Sequence, residues 1–283
     1  LEFKPDYPEA HNNLGTALQE QGDLNAAISS YQQALIYKPE YPNAHYNMAH
    51  TFLLNGEYKK GWIENEYRFK TSIKPVTPHA NPSIPRWTGE PLDLNNKLLV
   101  VTEQGLGDTM QFMRYIPYLQ QQGIDVSFCA QPKLHELIKA SNIIVNPLTP
   151  AQCNEVNEGK WIPLLSVPQF LDVTQNNPIV TDPYIHCSEE LNNKWKAKLC
   201  QEKGPIIAIN WQGNPETEKN SLKGRSIPLE IFSTITKSLN CTFLSLQKGF
   251  GSEQYETCSF KDQFVQCQEQ VNETWSFLET AAI

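Results

Sequence analysis

No apolar run in this chain approaches the roughly 20 residues that a bilayer-crossing helix needs. The N-terminus also lacks the charged-then-apolar order of a signal peptide, so the sequence points to the cytoplasm. Basic residues are outnumbered, 23 against 31 acidic, for a net charge of -8 and a pI near 5.3. With no long basic run either, a general nucleic-acid binder is excluded. The seven cysteines are odd in number, widely spaced and without a Cys-x-x-Cys pair, which supports neither a zinc site nor a disulfide framework. What is present, 40% hydrophobic and 19% charged residues over 283 positions, is the composition of a folded protein with room for two or three domains.

The first 70 residues contain an internal repeat. Pro5-Asp6-Tyr7-Pro8-Glu9-Ala10-His11 recurs 34 residues later as Pro39-Glu40-Tyr41-Pro42-Asn43-Ala44-His45. Asn13-Leu14-Gly15 aligns with Asn47-Met48-Ala49, and Gly22 with Gly56. That period, with glycine between helices and proline at the repeat boundary, is the signature of tetratricopeptide (TPR) repeats. Such hairpins bury their apolar faces only by stacking, so the opening Leu1-Glu2-Phe3-Lys4 reads as the end of a preceding repeat. Asn13 and Asn47 fall in the first helices, which line the concave face in this family, where amides suit the backbone of an extended peptide. A solvated polar face is the plain alternative.

Gly61 to Phe69 is aromatic and charged and reads as a capping helix. Pro75, Pro78, Pro82, Pro85 and Pro91 then predict a stiff, extended linker over 75–96, after a repeat domain over 1–74. From Lys97 strands and helices alternate, as in a Rossmann-like lobe over 97–190: strands at Leu98–Val101, Asp125–Cys129, Ile143–Val145 and Trp161–Leu165, and a helix at Pro132–Ala140. Pro117 should kink the first helix. A second series starts at Ile206–Trp211 and continues at Cys241–Leu246, within a second lobe over 191–283. The expected fold class is α plus α/β.

Two loops carry candidate chemistry. After the first strand, Glu103, Gln104, Gly105, Leu106 and Gly107 lead to Asp108, placed as a helix N-cap, with both glycines permitting the sharp turn. Carboxylates there repel phosphate. They suit a hydroxyl whose proton is to be taken, although Asp108 as a mere cap fits the spacing equally. In the second series Gly213, Asn214, Lys219, Lys223, Arg225 and Lys248 fall in loops at the carboxyl ends of strands, where positive charge favours phosphate.

The run Glu103 to Pro117 closely resembles the start of the glycosyltransferase domain of bacterial TPR proteins related to the heptosyltransferases. Gly61-Trp62, Glu66-Tyr67-Arg68, Pro85-Arg86-Trp87-Thr88-Gly89, Trp161 to Ser166, Asn210 to Pro215, Arg225-Ser226-Ile227 and Leu244 to Gly249 look like later signatures of that family. The resemblance implies a GT-B architecture with two Rossmann-like lobes and metal-independent, inverting transfer from a nucleotide sugar, with no separate cofactor. It implies Asp108 as general base, Arg225 on the donor diphosphate, and Lys248, Lys223, Gly213 and Asn214 beside it. The O-linked N-acetylglucosamine transferases likewise join such repeats to such a domain and take polypeptide acceptors. The family's second lobe continues past the point where Phe277 to Ile283 ends this sequence, so that lobe is expected to be incomplete. The competing expectation is a TPR interaction scaffold with inactive lobes.

Overall fold

The structure is a computed structural model that describes residues 4–92, 97–180, 182–202, 204–220, 225–236, 241–273 and 275–283. Its first helices, α1 (Pro8–Glu20), α2 (Leu24–Tyr37), α3 (Pro42–Leu54) and α4 (Tyr58–Asn65), form two successive hairpins. Pro8 and Pro42 start α1 and α3, where a missing N–H leaves no bond unmade. Each hairpin turns on a glycine in the left-handed region, Gly22 at φ 84° and Gly56 at φ 80°. Asp23 caps α2 by accepting from the Ala26 N–H at 3.1 Å. Ala27, Ile28, Tyr31, Met48 and Phe52 form the shared core. Gly15 lets α1 approach α2 closely, since a Cβ there would lie 2.6 Å from the Tyr31 ring. Gln19 Oε1 accepts from the Tyr31 hydroxyl at 3.1 Å and from Thr51 at 2.9 Å, joining the two hairpins.

The Pro-rich stretch, expected as a stiff, extended linker, is hydrogen-bonded along its length to the elements on either side. The Val76 N–H donates to Arg68 O at 3.0 Å, His79 to Thr102 O at 2.8 Å, and Trp87 to Trp161 O at 2.8 Å. Ala80, Ile84 and Trp87 are buried. A proline-rich strip lacks donors of its own but can lie along a sheet edge wherever an intervening N–H faces it.

That sheet has three parallel strands, β1 (Lys97–Val101), β2 (Asp125–Cys129) and β3 (Lys160–Pro163), in the order β2-β1-β3. Leu98 to Val101 are 0–2% exposed, as a strand covered on both faces requires. Between β1 and β2 lie α5 (Leu106–Phe112) and α6 (Tyr115–Gln121). The expected kinked helix is thus two helices, and Pro117 sits in the first turn of α6, where its nitrogen needs no partner. After α7 (His135–Ala140), Ile143–Val145 is irregular and not a strand. The main chain pairs at Leu148 instead, whose N–H donates to Phe128 O at 2.8 Å. α8 (Pro150–Asn154) follows, capped by Thr149. The expected strand Trp161–Leu165 stops at Pro163 and turns through a 3-10 segment, Leu164–Ser166, into α9 (Val167–Phe170).

The chain forms two compact units. One runs to Pro132 and resumes over Ile143–Tyr184, so repeats, Pro-rich strip and first sheet belong together; the other comprises Lys133–Asn142 and Ile185 onward. The second holds α7, α10 (Glu189–Leu199), β4 (Ile206–Ile209), α11 (Pro215–Asn220), α12 (Ser233–Thr236), β5 (Thr242–Ser245), α13 (Gln254–Thr257), α14 (Gln268–Glu273) and α15 (Leu278–Ala282). β4 and β5 pair in parallel, extended by a bridge from Phe243 to Phe264. Phe243, Phe260, Phe264 and Tyr255 pack ring on ring in one core. Trp195, 1% exposed, anchors a second core and donates its indole N–H to the buried Glu279 of α15. The described architecture is therefore helical hairpins followed by mixed α/β with small parallel sheets.

Candidate functional site

The loop after β1 differs in detail from its sequence reading. Gly105 is the N-cap of α5 and Asp108 is the third helical residue, with Oδ2 accepting from the Gly105 N–H at 2.9 Å. The left-handed turn belongs to Gln104, at φ 61°, and not to Gly105 or Gly107. A non-glycine residue in that region stores strain, and Gln104 is exposed at the mouth of the loop. Asp108 is half-buried and reachable.

Glu103 is not at the loop's mouth. It is 0% exposed and paired with Arg68, also 0% exposed. Arg68 Nε donates to Glu103 Oε2 at 3.1 Å and Nη2 to Oε1 at 2.7 Å, a two-pronged geometry. Arg68 also donates to Glu66 at 2.7 Å, Asn65 O at 3.0 Å and Ser166 Oγ at 2.8 Å. Arg86 reaches Glu66 at 2.5 Å. Burial pushes the Glu66 carboxyl up, but the Arg68 charge and the Ser166 hydroxyl outweigh it and hold its pKa below the ordinary value. Four separate sequence signatures, around residues 66–68, 85–87, 103–108 and 161–166, thus converge on one buried ion network.

Beside it lies a cavity of 460 Å³ within the first unit. Tyr46, His50 and Leu53 of α3 and Tyr58 and Trp62 of α4 form its repeat side; Gln104, Asp108, Gln111, Phe112, Arg114 and Tyr115 face them from the loop, α5 and α6. Asn65, Leu165, Val173, Thr174, Gln175 and Pro178 complete the lining. Tyr58 stacks on Trp62 at 6.4 Å, Trp62 meets Phe112 edge-on at 5.9 Å, and Phe112 meets Tyr115 at 6.2 Å. His50 stands against Tyr46 at 4.4 Å, and desolvation lowers its pKa. Arg114 is fixed by Gln111 O at 2.7 Å and the Tyr184 hydroxyl at 3.0 Å. Sequence reasoning missed the α3 and α4 residues, although Tyr46/His50 and Tyr58/Trp62 each carry the i, i+4 spacing that puts two rings on one helical face.

In the second unit, Gln247 organises the loops after β4 and β5. It is 2% exposed; Oε1 accepts from the Trp211 N–H at 3.1 Å and the Gln212 N–H at 2.9 Å, while Nε2 donates to Gln212 O at 3.0 Å and Phe250 O at 2.6 Å. The exposed Arg225 adjoins Gly213, whose Cβ position would lie 3.4 Å from its Nε. Glu218 is there too, 3.0 Å from the same position and accepting from Ser226, and its charge opposes an anion. The Asn214 side chain accepts from the Glu216 N–H at 3.0 Å, a capping role, and Lys219 pairs with Glu216 at 2.7 Å. Lys248 is half-buried, and burial pushes its ammonium pKa down. Lys223 lies outside the described residues.

Residues 15–56 match the family model of the TPR repeat. The match covers the end of α1 and all of α2 and α3, so the helical N-terminus is TPR-like. FlbA of Caulobacter vibrioides is 29% identical over 121 residues, which are 41% of this chain and 20% of FlbA, so the chain spans about a fifth of that relative's length. TPR repeats support a protein-interaction role and protein partners. Among the described residues no helix is long and apolar enough to cross a membrane.

Within the TPR segment the amides form a ladder. Asn47 Nδ2 donates to Asn12 Oδ1 at 3.1 Å, and Asn12 Nδ2 donates to Asn13 Oδ1 at 3.4 Å. Part of the capacity expected for a peptide therefore ties α1 to α3. Asn13 remains exposed.

Proposed function

We propose that the protein transfers a sugar from a nucleotide-sugar donor to a hydroxyl of a polypeptide acceptor held by its TPR repeats. The observation that carries this reading is that Asp108 lines the same cavity as Tyr46, His50 and Leu53 of α3, the first helix of the second repeat. A segment lying on the repeats would bring a hydroxyl to a carboxylate at the carboxyl end of β1, a position suited to proton abstraction. Asp108 takes the proton, the freed oxygen attacks the anomeric carbon, and the diphosphate leaves with inversion. Arg225, which adjoins Gly213, is the proposed diphosphate partner, with Lys248 and Asn214.

A second reading, a TPR scaffold without transfer, is favoured by the capping bond of Asp108 to Gly105 and by Glu218 next to Arg225. A thermal-shift titration with nucleoside diphosphates separates the two: a concentration-dependent rise in midpoint supports the transferase, and none at millimolar nucleotide supports the scaffold.

A further inference from the structure

We infer that the cavity is the anchor pocket for an aromatic side chain of the bound polypeptide, so that a bulky ring near the acceptor hydroxyl selects the segment. The hydroxyl's role rests on the proposed transfer; the anchoring does not. At 460 Å³ the space far exceeds what a serine or threonine side chain fills. A continuous row of four rings, Tyr58, Trp62, Phe112 and Tyr115, crosses from the repeat side to α6 and offers edges and faces to a fifth. Arg114, held at both Nε and Nη2 and already lying over the Tyr184 ring at 4.7 Å, adds a fixed cation to the cavity wall. Three residues of α3, the first helix of the second repeat, line the cavity: Tyr46, His50 and Leu53.

The test uses four peptides, acetyl-Gly-Ser-Thr-Xaa-Ser-Thr-Gly-amide with Xaa as Trp, Tyr, Leu or Ala, titrated calorimetrically without any sugar donor. The Trp and Tyr peptides are expected to bind about 10-fold or more tighter than the Ala peptide and tighter than the Leu peptide. Gln111→Trp, at an exposed position on the cavity wall, should erase that preference while the unfolding midpoint stays put. Equal affinities for the four peptides, no binding of any at millimolar concentration, or displacement of the Trp peptide by methyl pyranosides would each overturn the assignment. Because no donor is present, failure here says nothing about Asp108, and loss of transfer says nothing about the anchor.

Discussion

Removing Arg68 should be among the most damaging single changes in the first unit. Arg68→Ala strips Glu103 of its two charged hydrogen bonds and leaves that fully buried carboxylate with the Leu165 N–H, at 3.1 Å, as its remaining donor among the described residues. Orphaning one partner of a buried ion pair costs about 3–5 kcal/mol, against roughly 0–1 for an exposed pair. At about 2–4 °C per kcal/mol for a domain of this size, the midpoint should fall by roughly 10 °C. Urea unfolding followed by circular dichroism measures it as a lower midpoint at unchanged slope. Arg68→Met combined with Glu103→Leu removes both charges together and should recover most of the loss, because the penalty lies in the unpaired charge and not in the absent bond. A cost below about 1 kcal/mol for Arg68→Ala would refute the reasoning, since the pair would then behave like a solvated one.

Gly15→Ala, whose Cβ would lie 2.6 Å from Tyr31, should destabilise the repeats by about 1–3 kcal/mol in thermal melts. Gln247→Leu leaves the Trp211 and Gln212 N–H groups without their shared acceptor and should destabilise the second unit by roughly 2–4 kcal/mol in urea. For Glu66, whose folded pKa lies below its unfolded one, the stabilisation is present above the unfolded value of 4.5 and is lost as pH falls through the lower folded value. Thermal midpoints should therefore hold from pH 7 to about 5 and decline below, and Glu66→Gln should flatten that acid limb.

The features readable in advance were those written in local periodicity. The 34-residue offset, the helix-starting prolines and the inter-helix glycines specify the hairpins without reference to anything distant. The apolar run Leu98–Val101 likewise marks a strand buried on both faces. Glu103 was misjudged because a carboxylate next to a glycine-rich loop looks exposed, and only an arginine 35 residues earlier neutralises it. The docking of the Pro-rich strip was not legible for the same kind of reason, since its donors are few and its partners at Thr102 and Trp161 are remote. Asp108 was expected as the N-cap but lies three residues further on, inside α5, because glycine can cap a helix while aspartate at the third position closes the box. The cavity's repeat wall went unseen because Tyr46, His50, Tyr58 and Trp62 also satisfy the pattern of an ordinary TPR face.

The central claim concerns what Asp108 does in that cavity. The direct measurement is mass-spectrometric detection of sugar transfer to a polypeptide acceptor by the purified protein and by Asp108→Asn. The asparagine Oδ1 can still accept from the Gly105 N–H, so the fold and the midpoint should persist while transfer slows by about 100- to 10 000-fold. Equal transfer by the two proteins would contradict the account and return Asp108 to the role of a helix cap.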